Sequence, residues 1–508
     1  NLAINWQSFS IGSNEAVRFN QPNASSIALN RVLGQDPSSI LGSLSANGQV
    51  FVLNPNGVLF GTGSQVNVGG LVASTLSLSD ADFMAGNFGF SNSDGIGSVI
   101  NQGTLTAAQG GYIALLAPEV RNEGVISATL GTALLGAGDK VTLNLNNGSL
   151  LSYTTDQGSL NALAENRHLI QADGGQVYMS AKAADTLSTA VVNNTGIIEA
   201  RTLQNHNGDI VLMGDMQVGQ VHVGGTLDAS ASNGSNGGFI ETSAAQVKVA
   251  TDAIITTQAS QGISGNRLID PPDFTIAASG GDITAATLNT NLATTSVTIL
   301  SSQGTVNLLG NGDIFVNDVV GWNSANSLTL NSVRNINVNS TITNTGTGAI
   351  NLIAAAAVAV NANLNSGGTI AINAPAGLTQ AVGTTITTAT GLTIDVSAAS
   401  TSSGDIAGLG GLTKNGIGIL TLSGINTYTG ATTVNAGGYT LGGTGTATGT
   451  AFTVNLGGTL TLDNAAANNT NRISDTLALT LNGGELVFNG TNVALTNASE
   501  TTGALTLA

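Results

Sequence analysis

The chain has 508 residues, a net charge of −17 from 12 basic and 29 acidic side chains, no cysteine, and charged residues at only 8%. An acidic chain without a basic stripe is not built to hold nucleic acid or an anionic membrane surface. The absence of cysteine excludes a disulfide scaffold, thiolate zinc sites and cysteine nucleophiles. Sixty-eight glycines, seven prolines and an Ala/Val/Ile/Leu-rich apolar fraction favour strands and turns over helices, and no run of 18 apolar residues reads as a membrane-spanning helix.

In chain order, the first element is already strand-like, Leu2-Ala3-Ile4-Asn5-Trp6. At residues 51–61, two apolar runs flank Asn54-Pro55-Asn56-Gly57. Asn first, Pro second and Gly fourth predict a type I turn between two strands, a rigid turn that would display two side-chain amides. Residues 80–95 break the apolar alternation and are expected to leave the main fold as an excursion or short hairpin. The motif Asn-x-Gly-x-[Ile/Leu]-x-Ala then recurs from Asn101, Asn122 and, as a near copy, Asn194. Between these copies lie Gly-Gly-strand units starting at Gly110, Gly174 and Gly237.

Periodicity is clearest over residues 304–396. Apolar-x-apolar triplets begin at Val306, Leu328, Ile350, Ile370 and Leu392, spaced by 22, 22, 20 and 22 residues. A second series begins at Ile314, Ile336 and Val358, again 22 apart. Two interleaved series with one period predict an all-β solenoid of about 20–22 residues per coil, with small insertions outside the coils. The outer residues of each triplet should point inward and the middle one to solvent. Asn317, Asn339 and Asn361 follow the second series at the same spacing and are expected to stack as an amide ladder. Coils about 4.8 Å apart would make a rod of the order of 100 Å.

Three stretches carry a resemblance. The segments "INWQSFSIGSNEAVRFNQPNASSIALNRVLG", "ILGSLSANGQVFVLNPNGVLFG" and "VNVGGLVASTL" within 4–78 closely resemble the secretion domain of filamentous-haemagglutinin-type exoproteins of two-partner secretion. Residues 267–276, "RLIDPPDFTI", resemble a segment common downstream of that domain. Residues 411–437, "GLTKNGIGILTLSGINTYTGATTVNAG", are similar to the strand repeat of autotransporter passengers. The resemblance implies a right-handed parallel β-helix. Four segments follow from it: a secretion domain over 1–130 lacking its N-terminal cap strands, a continuation with insertions over 131–265, regular repeats over 266–400, and a repeat-bearing C-terminal part over 401–508. Both ends are strand-like, so the chain is expected to be a piece of a longer exported protein.

The resemblance also implies a secreted or surface-exposed protein of a Gram-negative bacterium. An outer-membrane transporter would recognise the secretion domain through periplasmic domains, with Asn54, Pro55, Asn56 and Gly57 as the secretion motif. Outside the cell, a structural rod for adhesion or biofilm, with a surface receptor or matrix as partner, is the expected task. The alternatives are a filament subunit associating end to end and the stalk of a contact-dependent toxin. No catalytic residue, metal or cofactor is expected. Pectate-lyase-like β-helices make Asp80 with Asp82 and Asp270 with Asp273 the carboxylate pairs to weigh, but only Arg334, Lys414 and Arg472 are basic after residue 275. His168, His206 and His222 fit no ligand spacing, and the scattered Gly-Asp pairs lack a calcium-roll repeat.

Overall fold

A computed structural model describes residues 1–92, 95–232, 234–302, 310–492, 494 and 496–508. It comprises two compact units, residues 1–271 and residues 272–303 with 310–508. Almost every pairing between strands is parallel and in register, which makes each unit a parallel β-helix. The triplet at Val306 lies outside the described residues; the other triplets of both series fall within strands.

Unit one shows how alternation becomes a core. In one wall the register stacks Ala28, Val50, Leu71, Ile113, Ala133, Val177, Ile210 and Ile240. All eight are buried, each larger side chain contributing about 1.5–3 kcal/mol. The next position in this column is Arg267, fully buried, and desolvation lowers its pKa to about 9. In a second wall the column reads Ile40, Phe60, Asn101, Asn122, Asn166, Asn194, Val223 and Val249. Four asparagines therefore replace aliphatics inside the core, all at 0% exposure.

Those four form a ladder. Each Nδ2 donates to the Oδ1 of the next: Asn101 to Asn122 at 2.7 Å, Asn122 to Asn166 at 2.8 Å and Asn166 to Asn194 at 2.8 Å. Asn194 ends the run by donating to Gly224 O at 2.8 Å. The motif's glycines serve the same stacking, since a Cβ on Gly124 would lie 2.2 Å from Gly103 O in the coil below. Ladder partners are 21, 44, 28 and 30 residues apart. Unit one thus mixes coils of 20–22 residues, such as Ala28 to Val50 and Ile113 to Ala133, with coils lengthened by insertions, whereas the regular part of unit two keeps to 20–22. One insertion is a hairpin of strands Lys140–Asn146 and Ser149–Gln157, turning at Asn147-Gly148, both at positive φ as a two-residue hairpin loop requires. It pairs antiparallel with strand Phe88–Ser91. That strand and helix Asp80–Ala85 are the excursion expected at 80–95.

Unit two is more regular. Asn339 Nδ2 donates to Asn317 Oδ1 at 2.8 Å, and Asn361 Nδ2 to Asn339 Oδ1 at 2.9 Å, both over 22 residues on an exposed corner. One aliphatic column, Leu330, Leu352, Ile372 and Ile394, is interrupted by Lys414 before resuming at Val434 and Val454. Lys414 is fully buried, and its Nζ donates to the carbonyls of Asn415 (2.6 Å), Gly416 (2.8 Å) and Ala436 (3.3 Å). Arg472, also fully buried, is held by Asn464 Oδ1 and the carbonyls of Gly443, Gly445 and Ala467.

Two stability predictions follow from this packing. Replacing Asn166 with Ala leaves a buried amide N–H and a buried amide oxygen unsatisfied, and should cost about 3 kcal/mol, at one to three per group. The exposed Asn339→Ala should cost under about 1 kcal/mol, and urea midpoints of the two variants compare them. Desolvation, opposed by nearby Asp395, lowers the Lys414 pKa to about 8. Between that value and an unfolded value of about 10.4 the unfolded chain binds the extra proton, so stability rises with pH across this window. Lys414→Met should flatten that rise in thermal unfolding midpoints measured from about pH 7 to 11.

Candidate secretion-recognition site

The 54–57 turn is held from both sides by its flanking strands. Strand Gln49–Leu53 is buried along its whole length. Val50 and Val52 face one way. Phe51 faces the other, against Phe83, Phe88 and Phe90 of the excursion at ring-centroid distances of 6.2, 5.7 and 6.0 Å. Strand Val58–Phe60 stacks between Ser38–Ile40 and Val99–Asn101. The turn closes with Gly57 N–H donating to Asn54 O at 3.0 Å, and Gly57 sits at φ +122°, which favours glycine.

The two asparagines do different work. Asn54 has 0% exposure. Its Nδ2 donates to Asp36 O and Ser38 Oγ, both at 3.0 Å, and its Oδ1 accepts the Asn56 N–H at 3.0 Å. Asn54 is therefore an internal brace that ties the turn to residues 36–38 of the preceding coil, and the expectation of two displayed amides is corrected to one. Asn56 is exposed, with Nδ2 donating to Gly34 O at 2.9 Å. Pro55 is half-buried, and its carbonyl accepts the Gly97 N–H at 3.2 Å.

Beside the turn runs a groove of about 320 Å³, lined among others by Leu33, Gly34, Leu53, Pro55, Asn56 and Leu76. Leu33 is 63% exposed, an apolar side chain standing next to the one displayed amide. Arg31 sits at the groove's edge, held by Asp80 at 2.8 Å and by Leu78 O at 2.6 Å. Sequence reasoning missed Arg31 and Leu33. The available signal was the strand Ile27–Val32, whose register sets Arg31 opposite Leu53 just before the turn, with Leu33 following at the strand's end.

The other residues weighed from sequence are scattered. Asp80 is ion-paired to Arg31, and Asp82 accepts from Ser79 Oγ at 2.5 Å at the helix start. Asp273 Oδ1 caps a loop by accepting the N–H groups of Asn311, Gly312 and Asp313 at 2.7, 2.7 and 2.9 Å. Asp270 is half-buried on strand Asn266–Asp270. His168 and His206 are exposed, and His222 contacts Gln220 on its own strand. Among the described residues, no group of three or more His, Asp or Glu is placed to hold a metal ion. None of their helices is long and apolar enough to cross a membrane.

Residues 1–228 match the family model of the TPS secretion domain, and residues 412–438 that of the passenger-associated-transport repeat. A heme/hemopexin-binding protein of Haemophilus influenzae strain Rd is 34% identical over 221 residues, 42% of this chain and 24% of the relative. Another H. influenzae heme/hemopexin-binding protein is 28% identical over 235 residues, 42% of this chain and 25% of the relative. The chain thus spans about a quarter of the length of the curated relatives it matches. The crystal structure of the HMW1 secretion domain from H. influenzae shares the fold, with a TM-score of 0.50 at 24% identity over 69% of this chain and 86% of that one. Residues 1–228, just under half of the chain, are thus similar to the TPS secretion domain, a domain of exoproteins that Gram-negative bacteria secrete with an outer-membrane partner transporter.

Proposed function

We propose that the transporter reads the Pro55–Asn56 edge of the turn together with the Leu33 side of the adjoining groove, while Asn54 and Gly57 set the shape of that edge. The supporting observation is the division of labour within the motif. One asparagine is wholly buried and bonded to the preceding coil, and the other is exposed beside an uncovered leucine. An apolar anchor next to a few well-placed polar groups is the usual composition of a recognition patch.

After export, the proposed task is structural and adhesive. Stacked coils with outward Thr and Asn rows offer broad, uncharged polar faces for a surface receptor or matrix, and three of the four carboxylates weighed as catalytic, Asp80, Asp82 and Asp273, are engaged in an ion pair and caps.

Two outcomes test these readings. Asn54→Ala should lower both the unfolding midpoint and the amount secreted, because it leaves buried partners unsatisfied at about 1–3 kcal/mol each. Leu33→Asp and Asn56→Ala should lower secretion while leaving the stability within about 1 kcal/mol of the parent, as changes at exposed positions do. Secretion of the parental amount by the Leu33 and Asn56 variants would count against the recognition patch. Deleting the coding region should reduce adherence of the producing bacterium to host cells or abiotic surfaces in a wash-resistant binding assay, with unchanged adherence refuting the adhesive role.

A further inference from the structure

In unit two, one outward column of side chains is almost a single residue type. Thr393, Thr413, Thr433, Thr453, Thr480 and Thr506 occupy successive coils in exact-partner register on one sheet. Two residues further along the same strands stand Asn415, Asn435, Asn455 and Asn482. Their amides are aligned from coil to coil, with Nδ2 to Oδ1 distances of 2.8, 2.7 and 3.0 Å. Two residues before the threonines stand only Gly391, Gly411, Ala431, Ala451 and Ala478. The result is a flat lattice with a repeat of about 4.8 Å across the coils and about 6.6 Å along the strands. The coil-to-coil bonds order the amides before any partner arrives, which lowers the entropy cost of binding, and each amide keeps one N–H for an outside acceptor.

A partner for this face must carry the same repeat. A second copy of this chain does so by construction, and identical flat faces of stacked strands interlock as dry, interdigitated pairs. Charge permits it: the chain carries −17, yet Asp395 is the one charged side chain in these three columns. Area sets the strength. From Thr298, paired with Thr329, and with Asn351 and Ala371 between Thr329 and Thr393, the face spans roughly 40 Å by 15 Å. It would bury roughly 600 Å² per copy, at the low end of specific interfaces.

We propose that this Thr/Asn face is a lateral self-association surface through which two copies pair weakly and reversibly, face to face, with a dissociation constant in the micromolar range or weaker.

The test is sedimentation velocity of the full chain from about 1 µM to about 1 mM, the range that brackets so small an interface. Wild type should shift from monomer to dimer as concentration rises. Thr413→Glu with Thr453→Glu places like charges on both faces and should raise the dissociation constant at least about 10-fold. The same charge change at Thr421 and Thr440, an in-register threonine pair on the neighbouring sheet, should leave dimerisation unchanged. Far-UV circular dichroism and the melting midpoint check that each variant is folded, and Thr433→Glu alone carries the test should the double variant lose its fold. Wild type that stays monomeric throughout overturns the proposal. So does association that survives Thr413→Glu with Thr453→Glu, or that is lost equally in the Thr421/Thr440 control.

Discussion

The in-register parallel ladder between successive coils is the constraint on which everything else rests. Once Val50 lies over Ala28 and Leu71 over Val50, every residue two positions along is also placed, inside or outside, on every later coil. Inward columns become aliphatic stacks, outward columns become rows of like side chains, and corners become places where one residue type must repeat. A glycine such as Gly124 is needed because the coil below comes within 2.2 Å of where its Cβ would be. The 54–57 turn obeys the same constraint: Asn54 commits its amide to the coil beneath it, and the exposed edge of the turn is a by-product of that bond.

Asparagine takes two roles under this rule. Inside unit one it forms a buried ladder in which the carboxamides satisfy each other and the backbone of the next coil, so the four must be retained together. Outside, at Asn317, Asn339 and Asn361, water stands ready to replace any missing partner, and the same geometry contributes little. The buried cations follow the same contrast. The side chains of Lys414 and Arg472 donate their hydrogen bonds to carbonyl and amide oxygens, so they sit inside columns and corners as donors that tie strand ends together.

Much of this was legible in the sequence. The repeat of 20–22 residues located the strands from Leu328 onward because successive coils there keep to that length as far as Val454. The Asn-x-Gly-x-[Ile/Leu]-x-Ala copies marked three of the four buried asparagines. Asn166 escaped because His168 stands where the motif has glycine and because 44 residues, including the hairpin at 140–157, separate it from its predecessor. The family model extends to residue 228, beyond the motifs that carry the resemblance. Burial of Lys414 was not legible, since a lysine in an apolar-x-apolar frame reads as an interruption, and only the register shows its Nζ among three carbonyls. The orientation of Asn54 was hidden too: a turn's composition says how the backbone bends, not which side chain reaches back to the neighbouring coil.

Register is the claim that most deserves a direct measurement, and a chain without cysteine makes it accessible. Pairs of nitroxide labels on cysteines introduced at Thr329 with Thr413, and at Thr329 with Thr453, report distances along one outward column by pulsed dipolar spectroscopy. Four coils separate the first pair and six the second. The stacking account predicts mean distances near 19 and 29 Å, a difference of about 10 Å, because each coil adds about 4.8 Å whatever the number of residues it contains. Equal distances for the two pairs, or a shorter distance for the second, would contradict in-register parallel stacking.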